Sequence, residues 1–303
     1  MTDAQIGQLL AVASALSFAL ASTFVSRTTA SGGDKGVMFS VLVTVVMSAA
    51  LWAVLEADQG VGPIGPAEWR AIGMFALAGI LANVFGRTLV FESIRRLGVS
   101  RASSVKRLNP FFSVGLAALL LGEAVSAPDL WGMLAIGLAF GLLMRESLSG
   151  RVGAAGPAPP LGAYSFGVLG ALAYAATYIT RKSGLEDWSV PALGTLVSAL
   201  AGFAGFLLLA LVIPRQRANL MGMFRHLDRW IVAASVMVSA GQILLFTALA
   251  FEKVSTVVMI ASLEIFLSIL LAVVVFRTEK MPGPSVLFAA ALATAGVLLV
   301  AMQ

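Results

Sequence analysis

Ten runs of about twenty apolar residues follow one another along this chain, and they constrain its fold more than any other feature. A helix needs about 20 such residues to cross the hydrocarbon core of a membrane. Of the 303 residues, 59% are hydrophobic and only 12% are charged. A soluble domain carries about 25% charge, so lipid is the expected solvent. The predicted spans are 5–26, 36–55, 70–92, 99–122, 129–146, 161–181, 190–213, 230–250, 254–276 and 283–302.

The residue types that support most enzyme chemistry are scarce. The chain has no cysteine, which excludes disulfides, thiol catalysis and Cys-ligated metals. Neither H-E-x-x-H nor G-x-S-x-G occurs, and the one histidine, His226, lies in a loop. We therefore predict no catalytic residue, no metal and no cofactor. The net charge of +5 arises from basic residues between apolar runs, which membrane topology explains better than nucleic-acid binding.

Two segments about 155 residues apart, 98–123 and 253–279, resemble each other and indicate a duplication. Each has Val-Ser at its start, polar residues within an apolar run, and a Glu at its end. Residues 151–160 form a Gly/Ala/Pro-rich linker between a first repeat, 1–150, and a second, 161–303. Five spans per half give the halves opposite orientations. The predicted fold is an all-α membrane protein with ten transmembrane helices, arranged as two five-helix inverted repeats around a central cavity.

Positive charge is unequally divided between the two sets of loops. Loops that follow odd-numbered spans hold thirteen Lys and Arg residues, whereas the opposite loops hold four. The positive-inside rule places the Arg-rich loops in the cytoplasm. This predicts a multi-pass protein of a bacterial inner (plasma) membrane with both termini in the periplasm. Within one Arg-rich loop, residues 214–230 alternate Arg with apolar residues, as in a short amphipathic segment on the inner leaflet.

Polar residues recur at helical spacing inside most spans, and they indicate the faces that meet water or solute. Two of these stripes are Tyr174, Tyr178 and Arg181 in span 6, and Ser235, Ser239, Gln242 and Phe246 in span 8. In span 4, Pro110 is placed to bend the helix. Arg87 and Lys106 lie at a similar depth on the cytoplasmic side of the membrane. Each either extends its charged end to the inner membrane interface or binds the solute, and the sequence leaves both interpretations open. Glu264 lies about 15 Å from either membrane face, so it is protonated, paired with a cation or in contact with water. The predicted solute-binding residues are Arg87, Lys106, Asn109, Tyr174, Tyr178, Gln242, Phe246 and Glu264.

Spans 5 and 10 are almost wholly apolar between their ends, and they are predicted to be peripheral scaffold. Gly137 and Gly141 form a G-x-x-x-G pattern in span 5. Such a pattern serves either tight packing inside the monomer, which we favour, or a dimer face. A monomer is therefore expected, with a dimer as the alternative.

Residues 91–146 resemble the EamA-type branch of the drug/metabolite transporter superfamily, and a second copy matches at 246–300. The resemblance covers nearly the whole chain. It implies a basket of ten helices around a central cavity and the transport of metabolites, with amino-acid exporters, including aromatic amino-acid exporters, among the similar proteins. The matching features are a short turn ending in Val-Ser, Asn109-Pro110-Phe111, Leu121-Gly122-Glu123, Trp131-Gly132 and a Gly-rich span.

The chain departs from the family pattern at two points. The second repeat has Glu264-Ile265 where the first has Asn109-Pro110. Span 1 lacks an acid of the kind that small four-span relatives use for proton coupling, so that mechanism does not carry over.

These features predict a carrier that exports small zwitterionic metabolites, most of all amino acids, by alternating access. Arg87 and Lys106 would attract a carboxylate, and Glu264 would face an amino group or carry a proton. The expected partners are this solute and the lipid bilayer. A carrier of phosphorylated or anionic metabolites is the alternative, because basic residues at one depth suit a phosphate. A channel would need rings of charged side chains or backbone carbonyls, which the sequence does not reveal. An intramembrane enzyme would need a catalytic motif such as H-E-x-x-H or G-x-S-x-G, and neither occurs.

Overall fold

The computed structural model describes residues 1–28, 35–60, 64–97, 99–149, 161–225, 227–277 and 283–302. Across these ranges every regular element is a helix, and eight helical stretches are long and apolar enough to cross a membrane. The protein is therefore an all-helical, multi-pass membrane protein. The count of ten spans and the inverted relation of the halves stay predictions, and the predicted linker 151–160 and His226 lie outside the described residues.

The helices follow the predicted spans closely. The first half contains α1 (Asp3–Val25), α2 (Lys35–Leu55), α3 (Pro66–Ile80), α4 (Arg87–Leu97), α5 (Val99–Lys106), α6 (Asn109–Leu116) and α7 (Ala127–Ser149). The second half contains α8 (Tyr164–Asp187), α9 (Pro191–Val212), α10 (Pro214–Met221), α11 (Arg229–Phe251), α12 (Val254–Ala261), α13 (Glu264–Leu270) and α14 (Pro284–Ala301). Short 3₁₀ turns cover Ala57–Gly60 and Leu161–Ala163, and π-helical turns cover Leu81–Gly86, Ala117–Leu121 and Leu271–Val275.

The sequence supplies the signals that start these helices. Thr2 and Gln5 form a reciprocal capping box at the start of α1, and Asp228 accepts a hydrogen bond from the Ile231 amide at the start of α11. Proline lies in the first turn of α3, α6, α9, α10 and α14, where its missing N–H has no intrahelical partner to lose.

The fourth span of each half is broken at the same position. Arg107 and Leu108 separate α5 from α6, and Ser262 and Leu263 separate α12 from α13. A π-helical turn ends both spans. Pro110 accounts for the first break, because proline cannot bond the preceding turn and its ring clashes there. The second break has no proline, so the two halves share a backbone feature that their side chains specify differently.

The first helix of each half packs against the other half. α1 runs antiparallel along α11: Gln8 donates to Glu252 at one end (3.2 Å), and Thr28 donates to Asp228 at the other (2.7 Å). α8 packs along α3 and α4, and it also contacts α5 and α6. We call α1 with α11, α12 and α13 the α11 bundle, and α8 with α3, α4, α5 and α6 the α8 bundle.

Two further helix pairs join the halves. Beyond the end of α2, the buried Glu56 carboxylate accepts the amides of Ala192 and Leu193 in the first turn of α9 (2.8 and 2.9 Å). α7 and α14, the predicted scaffold, pack on each other. Their closest approach is at Gly132, where a Cβ would meet the Gly296 carbonyl oxygen at 2.8 Å. A Cβ on Gly137 would meet only the Phe111 ring, at 3.2 Å.

Candidate functional site

A polar cavity lies between helices of both halves: α2, the π-helical turn Leu81–Gly86 with the start of α4, α8, α9 and α11. Its volume is about 60 Å³, room for about four water molecules. A metabolite of ten heavy atoms needs more space, so this conformation is a narrow one. The polar lining residues are Ser40, Thr44, Asn83, Arg87, Tyr174, Arg181, Thr195, Ser198 and Gln242.

Arg181 is held in place by two contacts from α11. It is only 6% exposed, its Nη2 donates to Gln242 Oε1 at 2.8 Å, and its guanidinium carbon lies 4.8 Å from the centre of the Phe246 ring. Its buried Nε has no hydrogen-bond partner among the described residues. A buried guanidinium that stacks on an aromatic ring and retains a free donor is arranged to receive an anionic group.

Arg87 has a similar environment at the start of α4. Its guanidinium carbon lies 5.8 Å from the centre of the Phe206 ring, and its buried Nη1 has no hydrogen-bond partner among the described residues. Glu92, one turn further along α4, is engaged elsewhere: it bonds Arg95 at 2.8 Å and also Arg96. Among the residues that the structure describes, no acidic residue lines the cavity. The cavity therefore contains two guanidinium groups without a carboxylate counterion.

The hydroxyl groups of the cavity donate chiefly to backbone carbonyls. Thr195 bonds Pro191 of its own helix (2.8 Å), whereas Ser198 on α9 bonds the Phe75 carbonyl of α3 (2.6 Å). Thr44 of α2 and Ser239 of α11 bond each other at 2.9 Å. These hydroxyl groups make the cavity wall polar, and some of them join neighbouring helices. The charged groups of the wall are Arg87 and Arg181.

A second polar cluster lies beside the two helix breaks, next to the α8 tyrosines and adjoining the cavity. Lys106 Nζ lies 5.5 Å from the centre of the Tyr174 ring, and Glu264 accepts a long hydrogen bond from Ser22 at 3.5 Å. Lys106 and Glu264 attract each other electrostatically. Tyr178 interacts with Arg181 of the cavity as well as with Glu264 and Asn109. We call Lys106, Asn109, Tyr178 and Glu264 the break cluster.

The predicted solute-binding residues thus divide into three locations. Arg87, Tyr174 and Gln242 line the cavity, and Lys106, Asn109, Tyr178 and Glu264 form the break cluster. Phe246 is fully buried: it meets Phe75 edge-on at 5.5 Å between ring centres, beneath Arg181. In this conformation Phe246 supports the cavity from below and does not line it.

Sequence reasoning placed Arg181 on a polar stripe but left it out of the predicted site. A signal was present. Arg181 follows Tyr174 by two helical turns, and none of the residues three or four positions away is acidic. An arginine of this kind within an apolar helix needs a partner from outside its own helix, which here is Gln242. The roles of Thr195 and Ser198 depend on how α9 packs, and the sequence does not reveal that.

The two bundles are joined toward the end at which α8 and α11 terminate. Lys182 Nζ donates to the carbonyls of Leu249 (2.9 Å) and Glu252 (3.1 Å), at the end of α11. Glu123 accepts the amides of Val254 (2.7 Å) and Ser255 (3.1 Å), at the start of α12. A cation at a helix C-terminus and an anion at an N-terminus both complement the helix dipole. We call Lys182 and Glu123 the clasp.

The aromatic pair beneath Arg181 strengthens this junction. Phe75 belongs to the α8 bundle and Phe246 to the α11 bundle, and both side chains are fully buried. The Phe75 ring lies against Gly184 of α8, where a Cβ would overlap it. At the opposite end, Arg27 donates to the Phe276 carbonyl (3.0 Å) and lies over the Trp230 ring, contacts that stay within the α11 bundle and its π-helical turn. Among the described residues, the clasp and the Phe75–Phe246 pair are thus contacts that join the two bundles.

Comparison with known proteins agrees with this architecture. The family model described as "EamA-like transporter family" matches residues 5–145 and again residues 161–302. No curated protein matches the sequence. A solved structure, described only as "Crystal structure of protein", superposes with a TM-score of 0.72 at 17% identity, covering 97% of this chain and 95% of that chain. At this identity the likeness concerns the fold alone.

Proposed function

Because the chain belongs to the EamA-like transporter family, we propose that this membrane transporter exports small metabolites bearing an acidic group by alternating access. The proposal rests on the cavity between the two halves, which contains the buried Arg181 and the half-buried Arg87, both without a carboxylate partner among the described residues. Charged side chains within a membrane are costly, and they usually mark a solute pathway.

Two solute classes are supported, one by the break cluster and the other by the cavity. Amino acids, the class predicted from the sequence, are supported by the break cluster, where Lys106 and Glu264 provide opposite charges near the Tyr174 ring. Phosphorylated or otherwise anionic metabolites are supported by the cavity, whose charged lining residues are Arg87 and Arg181. Both classes share an anionic group, and this group is what the cavity arginines would bind.

Alternating access would use the α8 bundle and the α11 bundle as its moving parts. The clasp and the Phe75–Phe246 pair join the bundles at one end, so opening toward that end requires these contacts to separate. With the Arg-rich loops in the cytoplasm, as the positive-inside rule requires, the clasp end faces the periplasm of a bacterial inner membrane. The conformation described here would then be closed to the periplasm, the state in which an exporter loads its solute.

Transport by the purified protein in liposomes tests the proposal. We expect counterflow of a labelled amino acid or sugar phosphate into vesicles that contain the wild-type protein, and counterflow lowered by about 30-fold or more in vesicles that contain Arg181→Gln. Arg225→Gln alters an exposed arginine outside the cavity and is the matched control. A purified, folded wild-type protein that moves neither class of solute would contradict the proposed function.

The orientation has its own test, since export depends on it. A reporter that is active only in the periplasm should be active when it is fused after Gln303, because both termini are predicted to lie there. Activity of a cytoplasm-specific reporter at the same position would reverse the topology, and the clasp would then face the cytoplasm.

A further inference from the structure

We infer that the solute carries two negative charges, as two carboxylates or as a phosphate monoester, and that Arg87 and Arg181 are its two counterions. This inference rests on the proposed function, because it names the chemical class that the same cavity accepts. Two features carry it: the charge of the cavity lining, and the free donors of the two guanidinium groups.

The first step concerns charge. A guanidinium group is protonated at neutral pH, so Arg87 and Arg181 bring two positive charges into the cavity. The described lining residues include no Asp or Glu to balance them. A buried charge is stable only when it is paired or solvated. A zwitterionic amino acid with one carboxylate has no net charge and leaves both positive charges in place. A solute with two negative charges neutralises them.

The second step concerns geometry. Arg181 is 6% exposed, and one face of its guanidinium lies on the Phe246 ring, so a ligand reaches it along an edge. Gln242 occupies Nη2, and Nε is left without a partner among the described residues. Arg87 likewise lies against Phe206 and keeps Nη1 free. A planar group that presents N–H donors along an edge matches the oxygens of a carboxylate or a phosphate.

The third step concerns the acid that might have balanced these charges. Glu264 belongs to the break cluster, where it bonds Ser22 and attracts Lys106. It does not line the cavity, and the cation that attracts it is Lys106. The two arginines of the cavity therefore depend on a mobile anion, and the solute is the anion that a transporter supplies.

The test compares solutes of different charge on the same purified protein. Succinate and glycerol 3-phosphate carry two negative charges, whereas alanine and phenylalanine each carry one carboxylate and one ammonium group. We expect succinate, glycerol 3-phosphate or both to raise the melting temperature of the wild-type protein and to drive counterflow in liposomes, and alanine and phenylalanine to do neither. A response to only one of the two dianions identifies whether paired carboxylates or a phosphate is recognised.

Variants of both arginines supply the second readout. Arg181→Gln and Arg87→Gln should each weaken dianion binding by about 30-fold or more, because each leaves one solute charge without its partner. Arg181→Lys retains the charge without the planar fork, so it should keep the preference for dianions at lower affinity. It also provides a test if Arg181→Gln does not fold. Arg225→Gln should bind as the wild type does.

Proton binding to a phosphate monoester offers an independent check. Its second pKa is about 6, so lowering the pH from about 7.5 to about 5.5 converts most of the dianion to a monoanion. Glycerol 3-phosphate, where it binds, should therefore bind less tightly at the lower pH, and an unchanged affinity would contradict the charge requirement.

The possible failures are distinct. If alanine or phenylalanine were transported and the two dianions were not, the inference would be wrong and the proposed function would stand. If the folded wild-type protein moved none of the four solutes, and no other small metabolite with an acidic group, both would be wrong.

Discussion

The cavity and the break cluster differ in charge although α8 contributes residues to both. The cavity has two guanidinium groups and no acidic residue among those described, whereas the break cluster has a lysine and a glutamate that attract each other. The two groups adjoin along α8, because Tyr174 lines the cavity beneath Lys106 and Tyr178 interacts with Arg181. The comparison teaches that the positive charge available for a solute lies in the cavity, whereas charges of opposite sign lie together in the break cluster.

The opposite charges of the break cluster come from equivalent regions of the two halves. Asn109 and Glu264 hold the same position in the two halves, each as the first residue after a helix break. Both halves have the break, but the first places Lys106 beside it and the second places Glu264 there. A shared fold therefore does not imply a shared chemistry at equivalent positions.

Removal of charge from the cavity should have the largest effect. The double variant Arg87→Gln with Arg181→Gln should lower flux of any transported solute by about 100-fold or more, since both solute-binding charges are lost. The matched double variant, Lys106→Gln with Glu264→Gln, removes one charge of each sign from the break cluster. It should retain flux within about 10-fold of the wild type. Equal losses in the two double variants would contradict the comparison.

A single change at Glu264 should have an intermediate effect that depends on the solute. Glu264→Gln leaves Lys106 without its partner and removes the negative charge that an amino group would meet. Flux of a dianionic solute that also has an ammonium group should fall about 10-fold, or about 1.4 kcal/mol, and flux of a dianion without an ammonium group should not fall. Glu186→Gln, at an exposed position of α8, is the control. An equal fall for both kinds of solute would assign Glu264 a role in transport itself.

The clasp predicts a smaller effect, on access to the cavity. Because the chain has no cysteine, a single one introduced by Val238→Cys, in the cavity lining, reports on labelling without background. Glu123→Gln weakens a cap of α12, and helix caps contribute about 1 kcal/mol. Labelling by a membrane-impermeant reagent from the periplasmic side should then become about 5-fold faster. Lys182→Met should act in the same direction, and slower labelling in both would place the opening at the other end.

The smallest predicted effect concerns the Tyr174 ring, which lines the cavity and also contacts Lys106 of the break cluster. Tyr174→Phe keeps the aromatic face beneath Lys106, and its flux should remain near that of the wild type. Tyr174→Leu removes that face, and a cation–π contact of about 0.5–1 kcal/mol corresponds to a change of about 3-fold. A large loss in Tyr174→Phe would instead assign the hydroxyl group a direct role in binding.

Much of this architecture could be predicted from local sequence. The apolar runs predict most of the helices, and Pro110 predicts a bend that the structure locates at Arg107 and Leu108. The helical spacing of Tyr174 and Arg181 predicts that both lie on one face of α8, and both line the cavity. These predictions succeed because span length, proline geometry and helical spacing are properties of a single segment.

The remainder depends on packing between distant segments. The stripe that includes Gln242 extends to Phe246 by helical spacing, but Phe75 from the first half covers that ring and places it in the core. The exchange of α1 and α8 between the halves is equally hidden, because apolar helix surfaces in lipid do not reveal their partners by hydrophobicity. The break at Ser262 and Leu263 could not be predicted from the sequence, because no proline lies near it.

The central claim is that the solute binds in the cavity and not at the break cluster. Protection of single cysteines from a thiol reagent by bound solute tests this claim most directly. Val238→Cys lies in the cavity lining, and Ser22→Cys lies beside Glu264 in the break cluster. A saturating transported solute should slow labelling at position 238 and leave labelling at position 22 unchanged. Protection at position 22 without protection at position 238 would contradict the account and move the solute to the break cluster.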